Sequence, residues 1–207
     1  ITAKAGNKEA TIPVTYDNGK LTETVKVPVT VLPKPEADEI LVPKNGDKEK
    51  AKEKVLAQAE KAIADGTFTG KLPQGARVEI DKTATVTVPD LTEDTEVDVP
   101  VKYTVDGQEK MTTIKVPVTV VEGVPQIVPV DENNKQPNPK NSIDKTEYPD
   151  GSTFEYEPKT PVDTTKPGDY TVNVIVKDKD GNPIAEVPST VRVVESYPQF
   201  VPVDKDK

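Results

Sequence analysis

Two short runs of oxygen-bearing side chains are the residues best suited to hold a metal ion. Residues 131–134 (Asp-Glu-Asn-Asn) form one run, and Asp178, Asp180 and Asn182 form the other at a spacing of two. Carboxylate and amide oxygens are the ligands that Ca²⁺ prefers. Neither run has the glycine and terminal glutamate of an EF-hand loop, and Asp and Asn are common turn residues. The sequence therefore predicts turns here and no metal or cofactor, with weak calcium binding as the open alternative.

Catalytic chemistry has few candidates in this sequence. The chain has no Cys and no His, which excludes thiolate nucleophiles, disulfides and the commonest general base. Asp94 and Glu96 form a carboxylate pair, but nothing in the sequence places them in a cleft. A Lys–Asn isopeptide bond would need a buried lysine beside a carboxyl group, and no lysine position reads as buried. The sequence predicts that the protein is not an enzyme and assigns no catalytic residue.

The composition indicates a β-rich protein with an acidic surface. Valine outnumbers leucine 31 to 6, which favours strands over helices. The net charge is −9, whereas nucleic acids and anionic membranes select Lys/Arg patches. No run of 18 apolar residues is present. Nucleic-acid binding and membrane insertion are therefore not expected.

The stretch that must position any site is a compact β-module at residues 145–194. Residues 170–176 place Tyr or Val at every second position, the period of a strand with one buried face. Residues 178–183 supply Asp, Gly and Pro for a turn, and a second strand follows with Val or Ser at every second position from Val187 to Val193. Further turns and a short aromatic strand precede this hairpin, at 148–151, 153–157 and 166–169.

The residues of this module resemble a known family. The run Tyr-Pro-Asp-Gly-Ser at 148–152, the turn Thr-Thr-Lys-Pro-Gly at 164–168 and the valine-rich hairpin are similar to the Rib/alpha-like repeat domain. The resemblance covers about residues 124–196. It implies an Ig-like β-sandwich in a cell-wall-anchored surface protein of Gram-positive bacteria. It brings no catalytic residues with it.

Internal repetition extends this organisation to the rest of the chain. The run Lys-Val-Pro-Val-Thr-Val occurs at 26–31 and again at 115–120, each time as the second arm of a strand–turn–strand pattern. A separate similarity links 125–131 to 198–204, offset by 73 positions. Repeats of this kind are typical of arrays of similar modules.

These repeats predict four segments and an all-β fold of tandem Ig-like β-sandwich modules. Residues 1–33 are expected to be the C-terminal half of a truncated module, and 34–122 a Rib-like module with an inserted helix near 47–65. A second Rib-like module is expected at 123–196, and 197–207 as the start of another. The chain is therefore expected to be an excerpt of a longer, exported protein.

The helix and the aromatic residues admit two interpretations. Asp47 is a candidate N-cap and Gly66 a candidate C′ residue, with apolar residues at helical spacing between them. This apolar face either covers the sandwich or binds a partner. The aromatic residues of the module at 123–196 form either its core or a glycan-stacking face. They are Tyr148, Phe154, Tyr156 and Tyr170.

The function that follows is structural. We expect the repeat region, or stalk, of a bacterial cell-surface adhesin, which projects a distal binding region from the cell wall and whose partners are neighbouring modules of the same chain. The alternative is a module that binds a host-surface protein or glycan through the helix-containing unit at 34–122. The expected location is extracellular, with wall anchoring through parts of the protein outside these residues.

Overall fold

The computed structural model describes residues 6–16, 19, 21–68, 70–144, 148–159 and 161–195. Ten strands, one α-helix and one 3₁₀ turn lie within this part of the chain. The strands are β1 (Gly6–Tyr16), β2 (Leu21–Val31), β3 (Ile40–Pro43), β4 (Arg77–Ile80), β5 (Thr95–Val105), β6 (Gln108–Val121), β7 (Gln126–Pro129), β8 (Thr153–Tyr156), β9 (Gly168–Lys177) and β10 (Pro183–Val194). The helix α1 is Lys48–Ala64, and the 3₁₀ turn is Pro139–Ser142.

The chain divides into two compact units. The first contains the described residues of 1–40, 47–89 and 94–118, and the second those of 41–46, 90–93 and 119–207. The described strands form one two-stranded sheet, β1-β2, and two four-stranded sheets in the orders β3-β6-β5-β4 and β7-β10-β9-β8. The predicted class, tandem Ig-like β-sandwich modules with one inserted helix, is confirmed. The four predicted segment boundaries stay predictions, and 197–207 lies outside the described residues.

The hairpin β5-β6 forms because alternate residues of both arms are apolar. Val99 pairs with Ile114 and Val97 with Val116, and all four side chains are buried. Tyr103 continues the same face and is also buried. Their polar neighbours point to the other side, so the alternation predicted from the sequence sets which face joins the core.

The helix α1 has the predicted caps. The Asp47 side chain accepts hydrogen bonds from the backbone N–H groups of Glu49 and Lys50, at 2.8 and 3.2 Å. Gly66 follows with φ +68°, the left-handed conformation that ends many helices. The buried residues of the helix lie on one face and are Ala51, Val55, Ala59 and Ala62.

The sheet of the second unit buries one face of β9 and β10. Val172, Val174 and Val176 of β9 are fully buried, as are Val187 and Val191 of β10. Other parts of the second unit complete two apolar clusters on this face. One contains Leu41, Val121 and Ile143, and the other contains Val162.

The alternation of residues 83–88 predicts a strand, and prolines within strand patterns are expected at edges or bulges. Both expectations are wrong in detail. The alternating residues 83–88 form turns and irregular backbone, although Val86 and Val88 are buried. Pro100 lies in β5, an inner strand of its sheet, whereas the sequence placed prolines at edges or bulges. The Pro100 carbonyl accepts from Asp81 N–H just past the end of β4 (2.9 Å), so the missing proline donor faces the end of a short neighbour.

Candidate functional site

The predicted oxygen cluster at the β9-β10 turn is used by the turn itself. Asp178 Oδ1 accepts from the backbone N–H groups of Asp180 and Asn182, both at 2.9 Å, and Oδ2 accepts from Asn182 Nδ2 at 3.1 Å. Hydrogen bonds from Asn182 lower the pKa of the Asp178 carboxyl group below its ordinary value. The carboxylate thus stabilises a hairpin turn, as the sequence favoured.

The cluster at 131–134 is also built into a turn. Asp131 Oδ1 accepts from Asn133 N–H at 2.8 Å. Asn134 Oδ1 accepts from both N–H and hydroxyl of Thr164, at 3.0 and 3.2 Å, and so joins two loops. Among the described residues, no group of three or more carboxylates is placed to hold a metal ion.

Chelation provides a direct check of the metal prediction. Adding EDTA to the full chain is expected to leave the melting temperature unchanged within about 1–2 °C. A ligand stabilises a fold only when it binds the folded state, and we expect no metal ion to bind here. The measurement is thermal unfolding by circular dichroism, with and without added Ca²⁺. A drop in EDTA that Ca²⁺ restores would make the acidic turns metal sites.

Glu96, one residue of the predicted carboxylate pair, lies in an ion pair with a lysine. Glu96 forms an ion pair with Lys115 at 2.7 Å, and that hydrogen bond lowers the Glu96 pKa, so this carboxyl group stays ionised. Lys102 lies between Glu79 and Glu109 at 3.0 and 3.2 Å and remains partly exposed. No lysine is buried within the described ranges, and buried lysine is what an isopeptide bond requires.

The aromatic residues of the second unit pack mainly as core. Tyr148 and Phe154 meet edge to face with ring centroids 5.0 Å apart, and both pack against the Leu41–Val121 cluster. Burial raises the pKa of the Tyr148 hydroxyl well above its ordinary value, and the Asp144 carboxylate, 3.3 Å away, adds to this. The Tyr156 hydroxyl contacts the Ser142 hydroxyl at 2.8 Å. A free face for sugar stacking is therefore not favoured.

The first and last strands of residues 123–195, β7 and β10, form the feature with the clearest functional geometry. β7 pairs in parallel with β10, with Gln126 opposite Val191 and Val128 opposite Val193. The pairing continues through Val130 N–H, which donates to the Val194 carbonyl at 2.9 Å. The first and last strands of one module therefore lie side by side and run in the same direction.

Side chains fix the start of β7 in the same place. Gln126 Oε1 accepts from the hydroxyl groups of Ser142 and Tyr156, at 3.0 and 3.1 Å. Just before it, the Val124 carbonyl accepts from Ser189 Oγ at 2.9 Å. This arrangement could not be predicted from the sequence, because the partners are separated by up to 65 residues and no local pattern marks them.

A comparison with protein families decides the identity of this unit. Residues 121–195 match the model of the Rib domain. This part of the chain is a Rib-like repeat domain. The predicted resemblance is thus confirmed over 75 of the 207 residues. Rib domains occur in the repeat regions of surface proteins, and the match indicates a structural domain. None of the described helices is long and apolar enough to cross a bilayer.

Three solved structures show distant similarity to this chain. EC1-4 of Drosophila N-cadherin aligns over 93% of this chain and 60% of its own, with 11% identity and a TM-score of 0.23. EC1-3 of mouse clustered PcdhgC3 aligns over 94% and 78%, with 11% identity and a TM-score of 0.21. An endo-fucoidan hydrolase of glycoside hydrolase family 107 covers 94% of this chain and 35% of its own, with 13% identity and a TM-score of 0.21. No curated protein matches the chain.

Proposed function

We propose that this chain is a load-bearing part of the stalk of a bacterial cell-surface adhesin, anchored in the cell wall and projecting a distal binding region. The observation that carries the proposal is the parallel pairing of β7 with β10 in the Rib-like domain. Its partners are neighbouring modules of the same chain.

The direction of the strands determines how tension acts on the domain. Tension enters through the residues before Gln126 and leaves through the residues after Val194. Because the strands are parallel, pulling on these ends slides β7 along β10 and loads their hydrogen bonds together. If the terminal strands were antiparallel, both would be pulled at the same end of the pair, and their hydrogen bonds would break one at a time. A stalk that keeps its length under shear flow benefits from the first geometry.

The packing of α1 favours the stalk over the alternative of a partner-binding helix. Val55 and Ala59 have no exposed surface, and Ala51 has 2%. The apolar face that would have to contact a host protein or glycan is therefore occupied within its own unit. Binding through α1 would require this face to be uncovered.

Single-molecule stretching of the full chain, held at its two ends, tests the proposal. Unfolding of the 75-residue Rib-like domain should lengthen the chain by about 25 nm, which identifies the event. The variant Val130→Pro removes the N–H that bonds Val194, a loss of about 1 kcal/mol, and should lower the unfolding force of this event.

Ile127→Pro is the matched control. Backbone groups alternate in direction along a strand, so the backbone nitrogen of residue 127 points away from β10. The nitrogen of residue 129 points the same way, and a proline is already present there. Ile127 is also 67% exposed, so little packing is lost. Its unfolding force should equal that of the unmodified chain. Equal forces for both proline variants would mean that the β7-β10 pair does not carry the load.

A further inference from the structure

The hairpins β1-β2 and β5-β6 are copies with the same register. Ile12 pairs with Val25 as Val99 pairs with Ile114. Each hairpin has proline next along the first arm and tyrosine three residues later, since Tyr16 takes the place of Tyr103. The second arms share the run Lys-Val-Pro-Val-Thr-Val. The two hairpins therefore present equivalent apolar faces.

These equivalent faces differ completely in burial. Val99 and Ile114 are 0% exposed, whereas Ile12 and Val25 are 47% and 41% exposed. Tyr103 is 1% exposed and Tyr16 is 46% exposed. A two-stranded hairpin alone is at best marginally stable in water, and an open face of valine and isoleucine adds to the cost. Within the part of the chain that the structure describes, the face of β1-β2 therefore has no cover equivalent to that of β5-β6.

The cover of β5-β6 is a segment that lies between the two hairpins in the sequence. Within residues 47–89, β4 pairs with β5, placing Val78 opposite Tyr103 and Ile80 opposite Val101. The helix α1 contacts both β4 and β5 and buries its small apolar residues. This segment has the shape and chemistry that the open face of β1-β2 would also accept.

We propose that the open face of β1-β2 is a second docking surface for residues 47–89, and that this segment exchanges between the two hairpins of its own molecule. One cover serves two equivalent surfaces, so leaving β5-β6 exposes about as much apolar surface as docking on β1-β2 removes. The equilibrium then depends only on the differences between the copies.

The connecting chain allows this exchange. Residues 32–39 join β2 to β3, and eight residues can span about 28 Å, so the hairpin β1-β2 can move while β3 stays paired with β6. Just before the segment, Lys44 N–H donates to the Val121 carbonyl at the end of β6 at 2.9 Å. A tether of this length gives an effective concentration on the order of millimolar, so the segment of the same molecule is favoured over that of a second copy.

Two differences explain why β5-β6 holds the segment in the described state. Val97 fills a position that is Ala10 in β1-β2, so β5-β6 offers more apolar contact. Lys102 forms an ion pair with Glu79 at 3.0 Å, and its counterpart in β1-β2 is Thr15. Docking on β1-β2 is therefore the minor state, with a population within about 0.1–10%.

Disulfide trapping in the full chain tests the exchange, because the natural chain has no cysteine to interfere. Glu79 and Lys102 are directly opposite across β4-β5, within the Cα separation that a disulfide spans. The pair E79C/K102C therefore reports docking on β5-β6. The pair E79C/T15C reports docking on β1-β2.

We expect E79C/K102C to cross-link at once on oxidation, and E79C/T15C to cross-link more slowly, within one molecule, as oxidation traps the minor state. Non-reducing electrophoresis and peptide mass measurement follow both. Adding Ala10→Val or Val97→Ala should each speed the E79C/T15C reaction about tenfold. The first adds two methyl groups to the apolar face of β1-β2, and the second removes two from that of β5-β6, so each favours docking on β1-β2. Adding Ile12→Asp should suppress it.

Two outcomes would overturn the proposal. If E79C/T15C forms no more internal disulfide than the same pair with Ile12→Asp, the segment does not dock on β1-β2. If it forms only covalent dimers, the surface takes a second copy of the chain instead. Ala10→Val and Ile12→Asp alter exposed or half-exposed positions, so neither result can be attributed to loss of the fold.

Discussion

Replacing Gly123 by alanine is expected to destabilise the Rib-like domain by about 3 kcal/mol or more. A Cβ atom at this position would lie 1.9 Å from the Pro188 carbonyl oxygen and 3.1 Å from Ser189 Cβ. The oxygen belongs to the backbone of β10, which pairs with β9 on one side and β7 on the other, so it cannot move without disturbing the sheet. Urea unfolding followed by tyrosine fluorescence measures the loss.

Gly168→Ala is the control for this substitution. The nearest atom to its added Cβ would be Tyr170 Cε2 at 3.6 Å, an ordinary van der Waals contact. We expect a change within about 0.5 kcal/mol. If Gly123→Ala were as mild as Gly168→Ala, the segment before β7 would not pack against β10 as closely as described, and the support for the load-bearing pair would weaken.

The strands that could be predicted from the sequence are those with a strict period of two. The arms of β5-β6 and β9-β10 place valine at alternate positions, and burial follows that alternation residue by residue. The caps of α1 were also predictable, because Asp47 and Gly66 act locally on the backbone beside them. Local chemistry is sufficient in each of these cases.

Residues 83–88 show where the same argument fails. They alternate as a strand does, yet Asp81 accepts from both the N–H and the hydroxyl of Thr83 and holds the backbone in a turn, at 2.9 and 2.6 Å. Val86 and Val88 reach the core from irregular backbone instead. Alternation reports which residues are buried, and a competing side-chain hydrogen bond decides whether a strand forms.

The features with functional meaning depend on distant partners. The parallel pairing of β7 with β10 joins Gln126 to Val191, and no sequence pattern specifies which strand a short edge strand joins. The sequence predicts that β1-β2 is a hairpin. The exposure of its apolar face depends on where residues 47–89 dock, which no local pattern specifies. The repeated run in the sequence shows that the two hairpins are equivalent. Only the structure shows that the apolar face of one hairpin is buried and that of the other is exposed.

Replacing Tyr103 by phenylalanine is expected to destabilise the first unit by about 1–2 kcal/mol near neutral pH. Tyr103 is 1% exposed, and its hydroxyl donates to the buried Pro33 carbonyl, which would lose its partner. Tyr16→Phe is the matched control at the equivalent position of β1-β2. Tyr16 is 46% exposed, so its substitution should change the unfolding free energy by less than about 0.5 kcal/mol.

The same substitution should change how stability depends on alkaline pH. Burial raises the pKa of Tyr103 to about 12, above its ordinary value of 10.0. A raised pKa in the folded state means that this contribution is complete below pH 10 and is lost as pH rises to about 12, on the order of 2–3 kcal/mol. Tyr103→Phe has no hydroxyl to ionise and escapes this loss.

Unfolding free energies at pH 8, 10, 11 and 12 therefore separate the two effects of the hydroxyl group. The unmodified chain should be the more stable at pH 8, and its advantage over Tyr103→Phe should shrink above pH 10 and disappear or reverse by about pH 12. A difference that stays constant from pH 8 to 12 would mean that the hydroxyl ionises as freely in the folded chain as in the unfolded one. The contact between Pro33 and β5 would then be open to water, because only a closed contact keeps this phenol neutral.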